Sequence, residues 1–137
     1  MQTQVYLFFD GRTEEALEFY KKILGIEVET LMRFKDMPGP NDPNRPPPKN
    51  PNAVTHSSFK LGGQRVMASD GDSGGKPEFR GFSLTLAVNT EAEAEKLFAS
   101  LSEGGQVQQP LMKTFFSPKF GMVQDKFGMN WMVLVGQ

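Results

Sequence analysis

Apolar residues along this chain alternate between two spacings, and each change of spacing marks a change of element. Val5–Phe9 is β-branched and aromatic, which predicts a strand, and Asp10-Gly11 then turns the chain. Thr13 stands where a helix cap is needed, with Glu14 and Glu15 in the first turn, where the positive end of the helix dipole favours them. Ala16, Leu17, Tyr20, Ile23 and Leu24 follow at helical spacing, and Gly25 is placed to end the helix. The period then drops to two. Ile26, Val28, Met32 and Phe34 alternate with Glu27, Glu29 and Arg33, a half-buried strand, and Ala53–Leu61 with Gln64–Ser69 read as a hairpin turned at Gly62-Gly63.

The same grammar returns about 77 residues later. Phe82–Leu86 alternates as a strand, Thr90 and Glu93 have capping-box spacing, and Ala94, Leu97, Phe98 and Leu101 make an apolar stripe before Gly104-Gly105. Val107–Lys113, Phe120–Asp125 and Asn130–Val135 supply three more strands. Gly63-Gln64-Arg65-Val66-Met67-Ala68 even matches Gly128-Met129-Asn130-Trp131-Met132-Val133 in position and character. The economical reading is an α+β chain of two βαβββ modules, residues 1–70 and 81–137 joined by a linker at 71–80, forming one compact domain overall.

Two stretches interrupt the pattern. Met37–Pro51 holds seven of the ten prolines, so it cannot supply central-strand hydrogen bonds and is expected to be a long exposed connection, in a position suited to a lid. Ser69–Pro77 is rich in Gly, Ser and Asp and suits a junction between modules.

Composition narrows the chemistry. In 137 residues there is no cysteine, which removes disulfides, thiolate zinc sites, iron–sulfur clusters and thiol catalysis. A chain of this length can bury roughly two thirds of its unfolded surface, so its core needs no metal staple. A formal net charge of −1 with mixed signs argues against a nucleic-acid partner, which requires a concentrated cationic face. The amino terminus runs at once into Val5–Phe9, too short an apolar run for a signal peptide, and nothing approaches a membrane span. The expectation is a cytoplasmic protein that touches neither membrane nor nucleic acid.

Several motifs compete with plainer readings. Gly71-Asp72-Ser73-Gly74-Gly75 spells the nucleophile string of trypsin-like proteases, but such an enzyme is defined by a triad geometry in a far longer two-barrel chain, so a linker is the better reading. Asp70 and Asp72 lack the other oxygen ligands of a calcium loop and read as a turn. The lone His56 lies on a strand face with Val54, Ser58 and Lys60, and reads as a structural or pocket-lining histidine rather than a metal ligand. Phe115, Phe116, Phe120, Phe127 and Trp131 crowd the second half, mostly as core. Trp131 and Met132 have opposite strand parity, so only one of them can face a cavity. Glu14, Glu15, Glu91, Glu93 and Glu95 sit at helix starts and exposed faces, where dipole and solvation account for them.

Taken together, Tyr6-Leu7-Phe8-Phe9-Asp10-Gly11, Ala16-Leu17-Glu18-Phe19-Tyr20, Met67-Ala68-Ser69-Asp70, Gly81-Phe82-Ser83-Leu84 and Asp125–Met132 resemble the vicinal-oxygen-chelate superfamily, which contains glyoxalase I, extradiol dioxygenases and bleomycin-resistance proteins, and within it the PhnB-like branch. The resemblance implies a glyoxalase-like fold, each mixed sheet curling round a cavity with its helix outside, and a homodimer. Some relatives carry a label as ubiquinone-pathway methyltransferases, but this chain has no glycine-rich nucleotide loop after a strand. Enzymatic members hold a divalent metal on the first and last strand of each module. Counting from Tyr20 and Phe98, and from Gly63 and Gly128, puts Val5, Ser83, Met67 and Met132 in those positions, and none is a ligand for a hard cation. No metal and no cofactor is therefore expected.

The function expected is metal-free binding of an unidentified small molecule, with His56, Met67, Ser83, Phe115 and Met132 as cavity residues. The alternatives are a metal-dependent lyase, isomerase or dioxygenase whose ligands lie elsewhere, or a metal-free enzyme using His56 as general base.

Overall fold

A computed structural model of the chain describes residues 1–37, 50–71 and 76–136. The proline-rich connection at 38–49 and the protease-like string at 72–75 lie outside the described residues. The chain divides into two compact units, Met1–Pro77 and Glu78–Gln137.

The first unit runs β1 (Val5–Phe8), α1 (Thr13–Leu24), β2 (Glu27–Arg33), a 3-10 turn at Phe34–Asp36, β3 (Val54–Leu61) and β4 (Gln64–Ser69). Its sheet has the order β1-β4-β3-β2, with β1 parallel to β4 and the other pairs antiparallel. The second unit repeats this as β5 (Leu84–Val88), α2 (Glu91–Ser102), β6 (Gln106–Met112), β7 (Phe120–Gln124) and β8 (Asn130–Val135), in the order β5-β8-β7-β6. The two mixed four-stranded sheets, each with a helix packed on it, make the α+β architecture of two βαβββ modules that the repeat predicts.

Alternation decides which face each helix covers. In the first unit Leu7, Phe59, Val66 and Ala68 point towards α1 and are buried with its Ala16, Leu17 and Tyr20. In the second, Val123, Trp131 and Val133 lie under Ala94, Phe98 and Leu101 of α2. The residues between them, Tyr6, Met67, Met122 and Met132 among them, occupy the helix-free faces and keep some exposure.

Local chemistry explains most boundaries. Leu61 pairs with Gln64 across Gly62 and Gly63, whose φ of +56° and +87° is the two-residue hairpin geometry that side chains resist. Pro110 sits within β6, which is tolerable because β6 is an edge strand. Gly25, at φ +66°, ends α1, and Thr90 Oγ1 accepts from the Glu93 amide at 3.1 Å to start α2.

The start of α1 corrects the sequence reading. Thr13 is its first helical residue rather than its cap, and its buried hydroxyl has no partner among the described residues. Asp70, read as part of a turn, is the acceptor instead: it follows β4 and takes the Thr13 amide at 2.8 Å through Oδ1 and the Val54 amide at 2.7 Å through Oδ2. The carboxylate that serves the helix comes from 57 residues away.

Candidate functional site

The second sheet carries a cleft of about 400 Å³ on its helix-free face. Register builds its floor: Met132 of β8 lies opposite Met122 of β7 and beside Thr85 of β5. Phe82, Met122 and Met132 supply apolar surface, Ser83, Gln108 and Asn130 supply hydroxyl and amide groups, and Gly81 completes the lining. Among the described residues no charged side chain lines it. Thioethers with three rotatable bonds, beside an aromatic ring, make an adaptable and polarisable wall.

The polar groups are held rather than loose. Asn130 Nδ2 donates to the Phe79 carbonyl at 2.9 Å and reaches the Phe82 carbonyl at 3.5 Å, tying the segment before β5 to β8. Gln108 Nε2 donates to Asn130 Oδ1 at 3.5 Å. Phe82 packs edge-on against Phe79, with centroids 6.4 Å apart.

Directly behind the floor, Trp131 is 1% exposed, and its Nε1 donates to Asp125 Oδ2 at 2.8 Å. Asp125 Oδ1 also accepts from the amides of Phe127 and Met129, at 2.8 and 3.1 Å. Trp131 therefore faces the helix side and Met132 the cleft, which resolves the parity choice between them.

The remaining sequence candidates fall in different places. Ser83 and Met132 line the cleft. His56 and Met67 belong to the helix-free face of the first sheet, where Tyr6 Oη and His56 Nδ1 are hydrogen-bonded at 3.1 Å. Phe115 lies between β6 and β7, fully exposed, edge-on to Phe116 at 5.2 Å and absent from the cleft lining. Gln108, Met122 and Asn130 escaped the sequence reading. Asn130 shares Met132's strand parity, and Met122 is found by counting back across the 125–129 turn, so both were reachable from the repeat.

The metal positions implied by the resemblance can be located in the register. Tyr6, not Val5, stands beside Met67, and Thr85, not Ser83, beside Met132, because the count from the helix falls one residue short in β1 and two short in β5. Val5 instead pairs with Val66 on the α1 side. A phenol, a hydroxyl and two thioethers do not fit a hard divalent ion, which takes carboxylate or imidazole donors. Among the described residues no three His, Asp or Glu side chains converge, and no helix is long and apolar enough to cross a membrane.

Comparison with known proteins gives a consistent picture. Residues 2–134 match the family model described as 3-demethylubiquinone-9 3-methyltransferase. Protein YjdN of Escherichia coli K12 is 31% identical over 140 residues, covering 98% of this chain and 95% of that protein. The crystal structure of PA1353 from Pseudomonas aeruginosa is 38% identical with a TM-score of 0.83, covering 100% of this chain and 98% of that one. The PhnB protein from Bacillus cereus is 30% identical with a TM-score of 0.81, covering 99% and 100%. At 12% identity and a TM-score of 0.63, the fosfomycin resistance protein FosX of Listeria monocytogenes, covered to 93% by 100% of this chain, shares the fold alone.

Proposed function

The chain belongs to the family described as 3-demethylubiquinone-9 3-methyltransferase, and on that footing we propose that, as a PhnB-like member of the glyoxalase/bleomycin-resistance/dioxygenase superfamily, it binds an uncharged small molecule without a metal. The observation that carries the reading is the lining of the cleft in the second unit, which offers thioether, ring, hydroxyl and amide groups but no charge. An uncharged ligand loses little on leaving water for such a site, whereas an ion would be desolvated without a partner. Affinity comes from apolar burial against Phe82, Met122 and Met132, and orientation from Ser83, Gln108 and Asn130.

Methyl transfer, which the family description names, finds no support in the topology. Each sheet has one parallel pair, not the doubly wound parallel arrangement whose strand–helix turns bind nucleotides. The homodimer and the cytoplasmic setting belong to the same proposal. Exposed Phe115 and Phe116 support the dimer, to be read as twice the chain mass in sedimentation.

Nile red, a neutral polarity-sensitive dye, tests the reading. Wild type is expected to bind one dye per chain, equally after chelator treatment and after loading with Mn, Ni, Zn or Fe, and to retain no stoichiometric metal. Met132→Lys is expected to weaken binding about ten-fold while the circular dichroism spectrum is kept. Stoichiometric metal in the protein, or undiminished dye binding in the variant, overturns the reading.

A further inference from the structure

The helix-free face of the first sheet carries a second group of side chains, different in kind from the cleft. Tyr6 on β1 reaches over β4 to His56 on β3, its Oη 3.1 Å from Nδ1, with the rings 5.7 Å apart and tilted by 32°. Phe8, two residues along β1 and so on the same face, lies 5.1 Å from the Tyr6 ring and is 57% exposed. Register supplies the rest. One row crosses the sheet as Tyr6, Met67, Ser58 and Thr30, and the next row contains Phe8 beside Ser69 and His56 beside Met32. Among the described residues these rows hold neither a carboxylate nor an ammonium group.

We propose that Tyr6, Phe8 and His56 form a binding site for a planar aromatic acid, an aryl carboxylate. The physical argument has three parts. Two exposed rings side by side on a strand present a π surface on which a flat ring can lie, and such contiguous exposure marks an interaction site more often than a single exposed ring does. In the proposed site the Tyr6 hydroxyl is the donor to Nδ1 of His56 in its neutral form, which fixes the tautomer and makes Nε2–H the one donor of the ring. A carboxylate oxygen is the strongest acceptor that an aromatic ligand can offer to that N–H, and it meets no like charge on these rows. Tyr6 thus has two duties, as half of the ring platform and as the group that orients the imidazole. Its residues come from the first unit alone and those of the cleft from the second, and the two readings have separate probes, so the failure of one is distinguishable from the failure of the other.

His56 is the only histidine in the chain, so a nitrogen-labelled sample of the full protein gives one imidazole spectrum without assignment. At a pH where the ring is neutral, wild type is expected to show the Nε2–H tautomer, and Tyr6→Phe a mixture of both. Benzoate is the probe. It is expected to shift the His56 resonances saturably, at one site per chain, while cyclohexanecarboxylate, the same acid without a π face, leaves them unmoved. Ligand-observed measurements on His56→Gln, with folding checked by circular dichroism, are expected to show benzoate affinity about ten-fold lower. A dominant Nδ1–H tautomer in wild type, no saturable response to benzoate, or equal benzoate affinity in His56→Gln overturns the proposal.

Discussion

Asp70 and Asp125 are each 3% exposed, and the geometry round each explains why a buried carboxylate is tolerable. Both accept backbone amides through short hydrogen bonds, so charge lost from water is met by fixed donors. Replacing Asp70 by Asn keeps the shape but turns an amino group towards the Thr13 or the Val54 amide. The expected cost is about 2 kcal/mol, read from the urea midpoint at unchanged slope. At the surface, Arg33 forms a two-pronged pair with Glu14, at 3.2 and 2.5 Å, and the hydrogen bonds from the guanidinium hold the Glu14 carboxyl below its ordinary range. Because the folded value is depressed, this stabilisation is present above the ordinary glutamate range and is lost as pH falls through the depressed value. In Arg33→Met the Glu14 midpoint, followed by carboxyl NMR, is expected to rise to the ordinary value. Little of this was legible in the sequence: Glu14 reads correctly as a first-turn carboxylate, but its partner is 19 residues away and Asp70's is 57, and no local pattern encodes either.

Helices and strands were far more legible, because period, glycine and capping residues are local signals. The chain alternates where it forms strands, and Thr90 caps α2 where the spacing to Glu93 says it should. Ends differ by a residue or two. The strand expected at Phe82–Leu86 runs Leu84–Val88, because β5 begins where it can pair with Trp131 of β8 and the segment before it is held by Asn130. Close approach between elements is less visible in a sequence. Gly105, after α2, leaves no room for a side chain: a Cβ there would lie 2.1 Å from the Gln124 carbonyl oxygen and 2.9 Å from the Asp125 Cα. Both obstacles are backbone, so Gly105→Ala is expected to cost about 3 kcal/mol, measured by thermal or urea unfolding, because β6 or β7 must shift to accept it.

For the molecule as a whole, the internal repeat proved the most informative feature of the sequence. It predicted two units of one topology, and it put Met67 and Met132 at matching positions, each beside a first-strand residue and opposite a third-strand one. The duplication also shows where the halves have diverged. The row holding Thr85, Met132 and Met122 in the second unit answers to Tyr6, Met67 and Ser58 in the first. Face assignment followed from parity alone, whereas the uncharged cleft needed the sheet register, since Gln108, Met122 and Asn130 come from three strands.

Sparse composition gives the duplicated chain an unplanned experimental property. Its lone imidazole lies in the first half and its lone indole in the second, so each half carries a spectroscopic tag of its own. Asp125→Asn is expected to red-shift Trp131 emission in the native state while leaving the His56 spectrum unaltered, since every donor named for Asp125 lies within residues 127–131. If the halves unfold separately, a denaturation curve followed by Trp131 fluorescence alone describes the 60 residues of the second unit rather than all 137. Superposing it on the histidine curve measures whether duplication produced one cooperative folding unit or two.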